Sequence, residues 1–214
     1  MSLEFEIPLV SLIFILILNI VYFSKKRADL EENKPYKVIL ISSLIVATID
    51  TVIHIICSAN TFESIVNNYY TLLNYLNKIL SALFSVIFSS LFFYTLLITY
   101  DKVRKNPKKI STILIIANIV FSVIMLFTNI ELVDAKVATN VTGATTMLGY
   151  AMVAIMLTCS LLVALTNIKK LDKRYLPIFI VFLLLVILYF FSLLIPGMII
   201  YDLILALMCY IMYF

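Results

Sequence analysis

The sequence predicts an all-α membrane protein, a polytopic bundle of about seven transmembrane helices with its N-terminus outside and its C-terminus inside. Two observations carry the class. Of 214 residues, 64% are hydrophobic and only 13% charged, whereas a soluble domain carries roughly 25% charged residues. The apolar runs are also too long for the period-two strands of an outer-membrane barrel. A third observation sets the orientation. Five basic residues (Lys25, Lys26, Arg27, Lys34, Lys37) follow the first run, and five (Lys102, Arg104, Lys105, Lys108, Lys109) follow the third. Four more (Lys169, Lys170, Lys173, Arg174) follow the fifth, so that 14 of the 16 Lys and Arg lie in alternate connections. The positive-inside rule places those connections in the cytoplasm.

Taken in order, the first helix is expected over 7–23. It is too rich in large side chains, and lacks the basic start and small-residue cleavage site, of a signal peptide. The second covers 38–59, close to the ~20 residues that cross a hydrocarbon core. Residues 60–71 read as an exterior connection without a basic residue. The third helix, 72–100, is the longest and must tilt or project. A basic turn precedes the fourth helix at 110–130, which contains Asn118. Residues 131–146 read as a polar surface loop before a fifth helix at 147–165. Pro196-Gly197 divides the remaining apolar stretch into helices at 175–194 and 198–214, the alternative being a kinked re-entrant segment. The chain reads as one transmembrane domain over 1–214.

Charge inside these runs is rare and therefore informative, because a charged side chain at the bilayer centre costs about 2.5–3.5 kcal/mol or more. Asp50 and His54 stand four apart on one face of the second helix, with Cys57 a turn beyond. From the rise per residue they lie about 13 and 7 Å below its outer end, Lys78 about 9 Å below the outer end of the third helix, and Asp202 about 6 Å into the seventh. All four fall in the outer half. They form either an outward-opening polar pocket that senses a ligand, proton or lipid headgroup, or an ion pair of Lys78 with Asp50 or Asp202 that neutralises buried charge. In a third arrangement Lys78 and Asp202 snorkel to the interface. Asn74, Lys78, Ser81, Ser85 and Ser89 recur at helical spacing along one face of the third helix. Such a stripe suits close helix packing or, alternatively, a permeation path.

Several chemistries are excluded on residue inventory. The seventh helix has no lysine for a retinal Schiff base, and one histidine cannot form a haem pair or zinc triad. Cys57, Cys159 and Cys209 are odd in number, widely spaced and set in apolar runs, as expected of small buried hydrophobes. No catalytic residue, metal site, cofactor or nucleic-acid partner is expected.

The chain closes Cys209-Tyr210-Ile211-Met212-Tyr213-Phe214 without a basic anchor, from which a following cytoplasmic region is expected. The segment Ile200-Tyr201-Asp202-Leu203-Ile204-Leu205-Ala206-Leu207, with Tyr213-Phe214, resembles the last membrane helix of multi-pass sensor histidine kinases from AT-rich Gram-positive bacteria. The resemblance implies a sensory module in a bacterial plasma membrane. It would relay an extracellular or membrane signal, borne by a small ligand or peptide, to a cytoplasmic kinase that dimerises through its own domain. Kinase residues would lie beyond these 214 positions. A small transporter or channel, and a structural subunit of a membrane complex, are the competing readings.

Overall fold

The computed structural model describes residues 3–25, 30–134, 139–167 and 201–213. Its helices are α1 (Leu3–Ser24), α2 (Asn33–Ala59), α3 (Phe62–Ser64), α4 (Tyr70–Thr99), α5 (Asp101–Lys105), α6 (Pro107–Leu126), α7 (Ala144–Thr166) and α8 (Tyr201–Tyr213). A π-helical turn, Ile65–Tyr69, joins α3 to α4. Strands β1 (Ile130–Asp134) and β2 (Thr139–Gly143) form an antiparallel hairpin. Five segments are long and apolar enough to cross a membrane: Ile7–Ser24, Asn33–Ala59, Phe62–Thr99, Pro107–Leu126 and Ala144–Thr166. The helix expected at 175–194 lies outside the described residues. That at 198–214 corresponds to α8, a shorter apolar helix.

Helix α4 is the central post, packed between α2 and α7 with α6 on its remaining flank. The main core joins Ile39, Leu40 and Val46 of α2, Ile87, Phe88 and Leu91 of α4, Leu157 and Ala164 of α7, and Ile204, Leu205 and Met208 of α8. In a bilayer the outward faces of these helices meet lipid tails as apolar as their own side chains, so exposed Ile13, Ile20, Ile45 and Ile155 are unremarkable there.

The described parts of the first two basic connections meet at one end of the bundle. Arg104 Nη2 approaches Glu32 Oε1 at 3.6 Å, joining the turn after α4 to the segment before α2. Asn167 donates to the Tyr100 hydroxyl at 3.0 Å, bringing the end of α7 beside the same turn. The opposite end carries a cap absent from the sequence reading. Residues 60–71 are largely helical, and 131–146 hold the hairpin rather than an irregular loop. Alternation decides the hairpin: Ile130, Leu132 and Val141 turn toward Ile53, Cys57, Ile65 and Leu73, while Glu131 and Val133 stay exposed. The Tyr70 hydroxyl also donates to the Ile130 carbonyl at 3.2 Å. Helix α6 accordingly ends at Leu126, because the chain must leave it to enter β1.

Candidate functional site

One face of α2 carries Tyr36, Leu40, Ser43, Ala47, Asp50, His54 and Cys57 at alternating spacings of four and three. That period keeps a seam on one side of a helix for several turns. From Tyr36 to Ala47 the seam faces α1 and α8, while Cys57 at its outer end packs under the cap. At the basic end the Tyr36 hydroxyl donates to the Cys209 carbonyl at 2.8 Å, and Cys209 Sγ lies 3.4 Å from Ser43 Oγ, both contacts buried. One turn outward Ala47 packs with Ile15 and Ala206, so α2 and α8 run antiparallel. Asn19 Nδ2 donates to the Leu40 carbonyl at 3.2 Å and clamps α1 to the same face.

The next turn outward is polar. Asp50 Oδ2 lies 3.4 Å from His54 Nε2, and each side chain is 21% exposed. The pair is therefore neither buried in the core nor surrounded by water. His54 Nε2 itself is buried and makes no hydrogen bond, so the contact with Asp50 is electrostatic in character. Ser11 of α1, fully buried and with its hydroxyl unpartnered, stands one turn outward from Ile15, at the level where α2 presents Asp50 and Thr51. The register of α8 puts position 202 one turn outward from Ala206 at this level, while the Asp202 side chain lies outside the described residues.

The Lys78 ammonium donates to the Leu126 carbonyl at 3.0 Å and lies 6.0 Å from the centre of the Tyr75 ring. Among the described residues its partner is thus a carbonyl rather than Asp50, while Asp202, the other expected partner, has its side chain outside the described residues. Two physical reasons combine. Lys78 shares a sector of α4 with Ser85 and Ser89, which face α6, whereas Asp50 continues the α2 seam whose inner part packs on α1 and α8. Leu126 also closes α6, where unpaired carbonyls and the helix dipole supply negative potential without a carboxylate.

The polar stripe of α4 is one face divided between two neighbours. Ser81 donates to Asn77 Oδ1 at 3.4 Å, and Asn77 donates to Thr146 Oγ1 of α7 at 3.4 Å. Beside them Gly149 lets α7 come close, since a Cβ there would stand 3.1 Å from Ser81 Oγ. On the other edge Ser85 donates to Asn118 Oδ1, and Asn118 Nδ2 donates to Ser89 Oγ at 2.7 Å and to the Leu114 carbonyl at 2.9 Å. Ser81 and Ser85 thus serve helix contacts. Asn74 Oδ1 is buried without a hydrogen-bond partner.

Among the described residues the polar side chains form two centres. Asp50 and His54 form one on α2; Lys78 belongs with α6 instead. Asn77, Asn19 and Ser11 carry weight that sequence reasoning missed, although a lone amide in an apolar run, as Asn19 is, was the available signal. Cys57 and Cys209 are buried and Cys159 half-buried, all as free thiols. Among the described residues no group of three or more metal-ligating side chains occurs. Comparison of the chain with protein-family models, with curated proteins and with solved structures finds no match.

Proposed function

We propose that the chain is a membrane-embedded input module in a bacterial plasma membrane. In this reading a signal registered at Asp50 and His54 is passed along α2 to α8, and from there to a cytoplasmic output. The observation that carries the reading is the α2 seam. Asp50 is seven residues from Ser43 and fourteen from Tyr36, about 10 and 21 Å along one unbroken helix, and both inner residues touch Cys209 of α8. A change of charge or ligation at the outer pair alters how α2 seats against α1 and α8. The effect is limited to the free energy by which the signal distinguishes the two seatings. A small ligand or peptide, and a kinase output that dimerises through its cytoplasmic region, complete the proposal on the strength of the resemblance at Ile200–Leu207.

The test uses Cys209 as its own reporter, in a background with Cys57→Ala and Cys159→Ala. Labelling by a membrane-permeant maleimide reads the α2–α8 junction. Asp50→Asn and His54→Gln are each expected to change the Cys209 labelling rate at least threefold in membranes, while Thr158→Ala, on the exposed outside of α7, leaves it unchanged. Unchanged rates in both variants would remove the relay. Flux assays in proteoliposomes separate the transporter reading, whose path would have to use hydroxyls that here bind neighbouring helices.

The orientation belongs to the same proposal. With the basic end inside, a cysteine placed at exposed Asn67 is expected to react with an impermeant maleimide in intact cells, and one at exposed Lys105 only after lysis. The reverse pattern would invert the topology and put the Asp50–His54 pair on the cytoplasmic side.

A further inference from the structure

Between α2, α4 and α6 runs a groove of about 580 Å³, within the ~300–1,000 Å³ range of small-molecule sites. Its walls are mostly apolar, among them Val38 of α2, Val86 and Phe93 of α4, and Ile115, Ile119 and Val123 of α6. Ser90 lies on its floor. From Ser111 to Leu126 the α6 wall extends about 22 Å, longer than one leaflet of a ~30 Å hydrocarbon core. The side of the groove is open toward the bilayer, because Val38, Ile115, Ile119 and Val123 are all exposed.

The two ends of the groove differ in charge. Lys34, already ion-paired with Glu31, lines the basic end beside Pro35, so the uncompensated charge there is that of α6. Lys108, exposed, stands one turn before Ser111 on the same stripe of α6, and exposed Lys109 adjoins it. The far end is closed by Leu126 and Val123; Lys78, which is not a lining residue, stands behind it with its ammonium engaged by the Leu126 carbonyl. A cationic rim above a leaflet-length apolar trough complements one kind of molecule in a membrane: an acyl chain with an anionic head.

We propose that this groove binds an anionic phospholipid of the bilayer, its phosphate at the rim of Lys34, Lys108 and Lys109 and one acyl chain lying along α6 toward Leu126. Helix α6 touches the bundle chiefly through α4 and buries only Met125. A lipid in the groove therefore adds a second set of contacts holding α6 beside α2. Juxtamembrane basic residues attract anionic headgroups, each by about fivefold in affinity.

The test is thermal unfolding of the full chain in maltoside detergent, titrated with phosphatidylglycerol or with phosphatidylcholine of the same acyl chains. Phosphatidylglycerol is expected to raise the midpoint in proportion to its occupancy, and phosphatidylcholine to do so much less. The double variant Lys108→Gln/Lys109→Gln, at two exposed positions, is expected to weaken the phosphatidylglycerol effect by roughly fivefold per charge in apparent affinity. Ser90→Phe, which fills the floor, is expected to abolish it; Val38→Phe, at the open edge, replaces that variant where it does not fold. Equal responses to the two lipids would overturn the assignment of the headgroup. A phosphatidylglycerol response that persists in the filled variant would show headgroup binding at the surface alone, and would overturn the groove as the site.

Discussion

Gly143→Ala is expected to lower the stability of the protein by about 3 kcal/mol, read as unfolding in detergent. Gly143 closes β2 and stands at the start of α7 with φ 109° and ψ −173°, a backbone region that is essentially glycine-only. A second penalty is steric. An added Cβ would lie 2.8 Å from the Glu131 nitrogen and 3.0 Å from the Asn129 carbonyl oxygen, both backbone atoms that cannot swing aside as a side chain does. Relief requires the hairpin to move off the cap, exposing Ile130 and the buried contacts beneath it. Gly149→Ala is the informative control. Its added methyl meets only the Ser81 side chain, at 3.1–3.2 Å, and the loss should be well under half as large. A Gly143→Ala protein as stable as the parent would mean that the hairpin does not form as described.

Asn118→Leu is expected to cost about 1–3 kcal/mol, from two interhelical hydrogen bonds at the values measured for such bonds in membranes. The number is large for its place because α6 has little else. Only Met125 of that helix is buried, and among the described residues its side-chain hydrogen bonds to α4 are those of Asn118 with Ser85 and Ser89, joined at the helix end by Lys78 on the Leu126 carbonyl. Lipid tails give no hydrophobic reason for α6 to leave the bilayer and pack on α4, so the polar contacts decide its docking. Combining Asn118→Leu with Ser85→Ala and Ser89→Ala should add little beyond the first substitution, since one network is being removed. Ser122→Ala, whose hydroxyl only returns to the Asn118 carbonyl of its own helix, should change stability by less than about 0.5 kcal/mol. Equal losses for Asn118→Leu and Ser122→Ala would show that the network does not hold α6.

These two positions also show why the cap was illegible while the bundle was not. Residues 130–143 contain two paired five-residue strands, and their alternation is too brief to stand out beside polar Thr and Asn. Their pairing depends on a surface built by α2, the π-helical turn and α4, which exists only after those elements pack. Asn118, by contrast, was visible as an amide in an apolar run; its partners were not, because Ser81, Ser85 and Ser89 lie on one face in sequence and only the arrangement of α6 and α7 divides them.

The sequence by itself determined the class, the approximate bounds of the first five spans and the gathering of basic residues in alternate connections. All three follow from transfer free energies summed over twenty or so residues, which no packing detail can reverse. It also determined that Asp50 and His54 share a face, since residues four apart on a helix always do. The tertiary structure alone decided which way each face turns. Lys78 and Asp50 sit at similar depth, and depth follows from counting residues. Their azimuth depends on where α6, α1 and α8 stand around α4 and α2. That arrangement sends the lysine to a helix terminus, with its unpaired carbonyl, and leaves the carboxylate beside a histidine of its own helix.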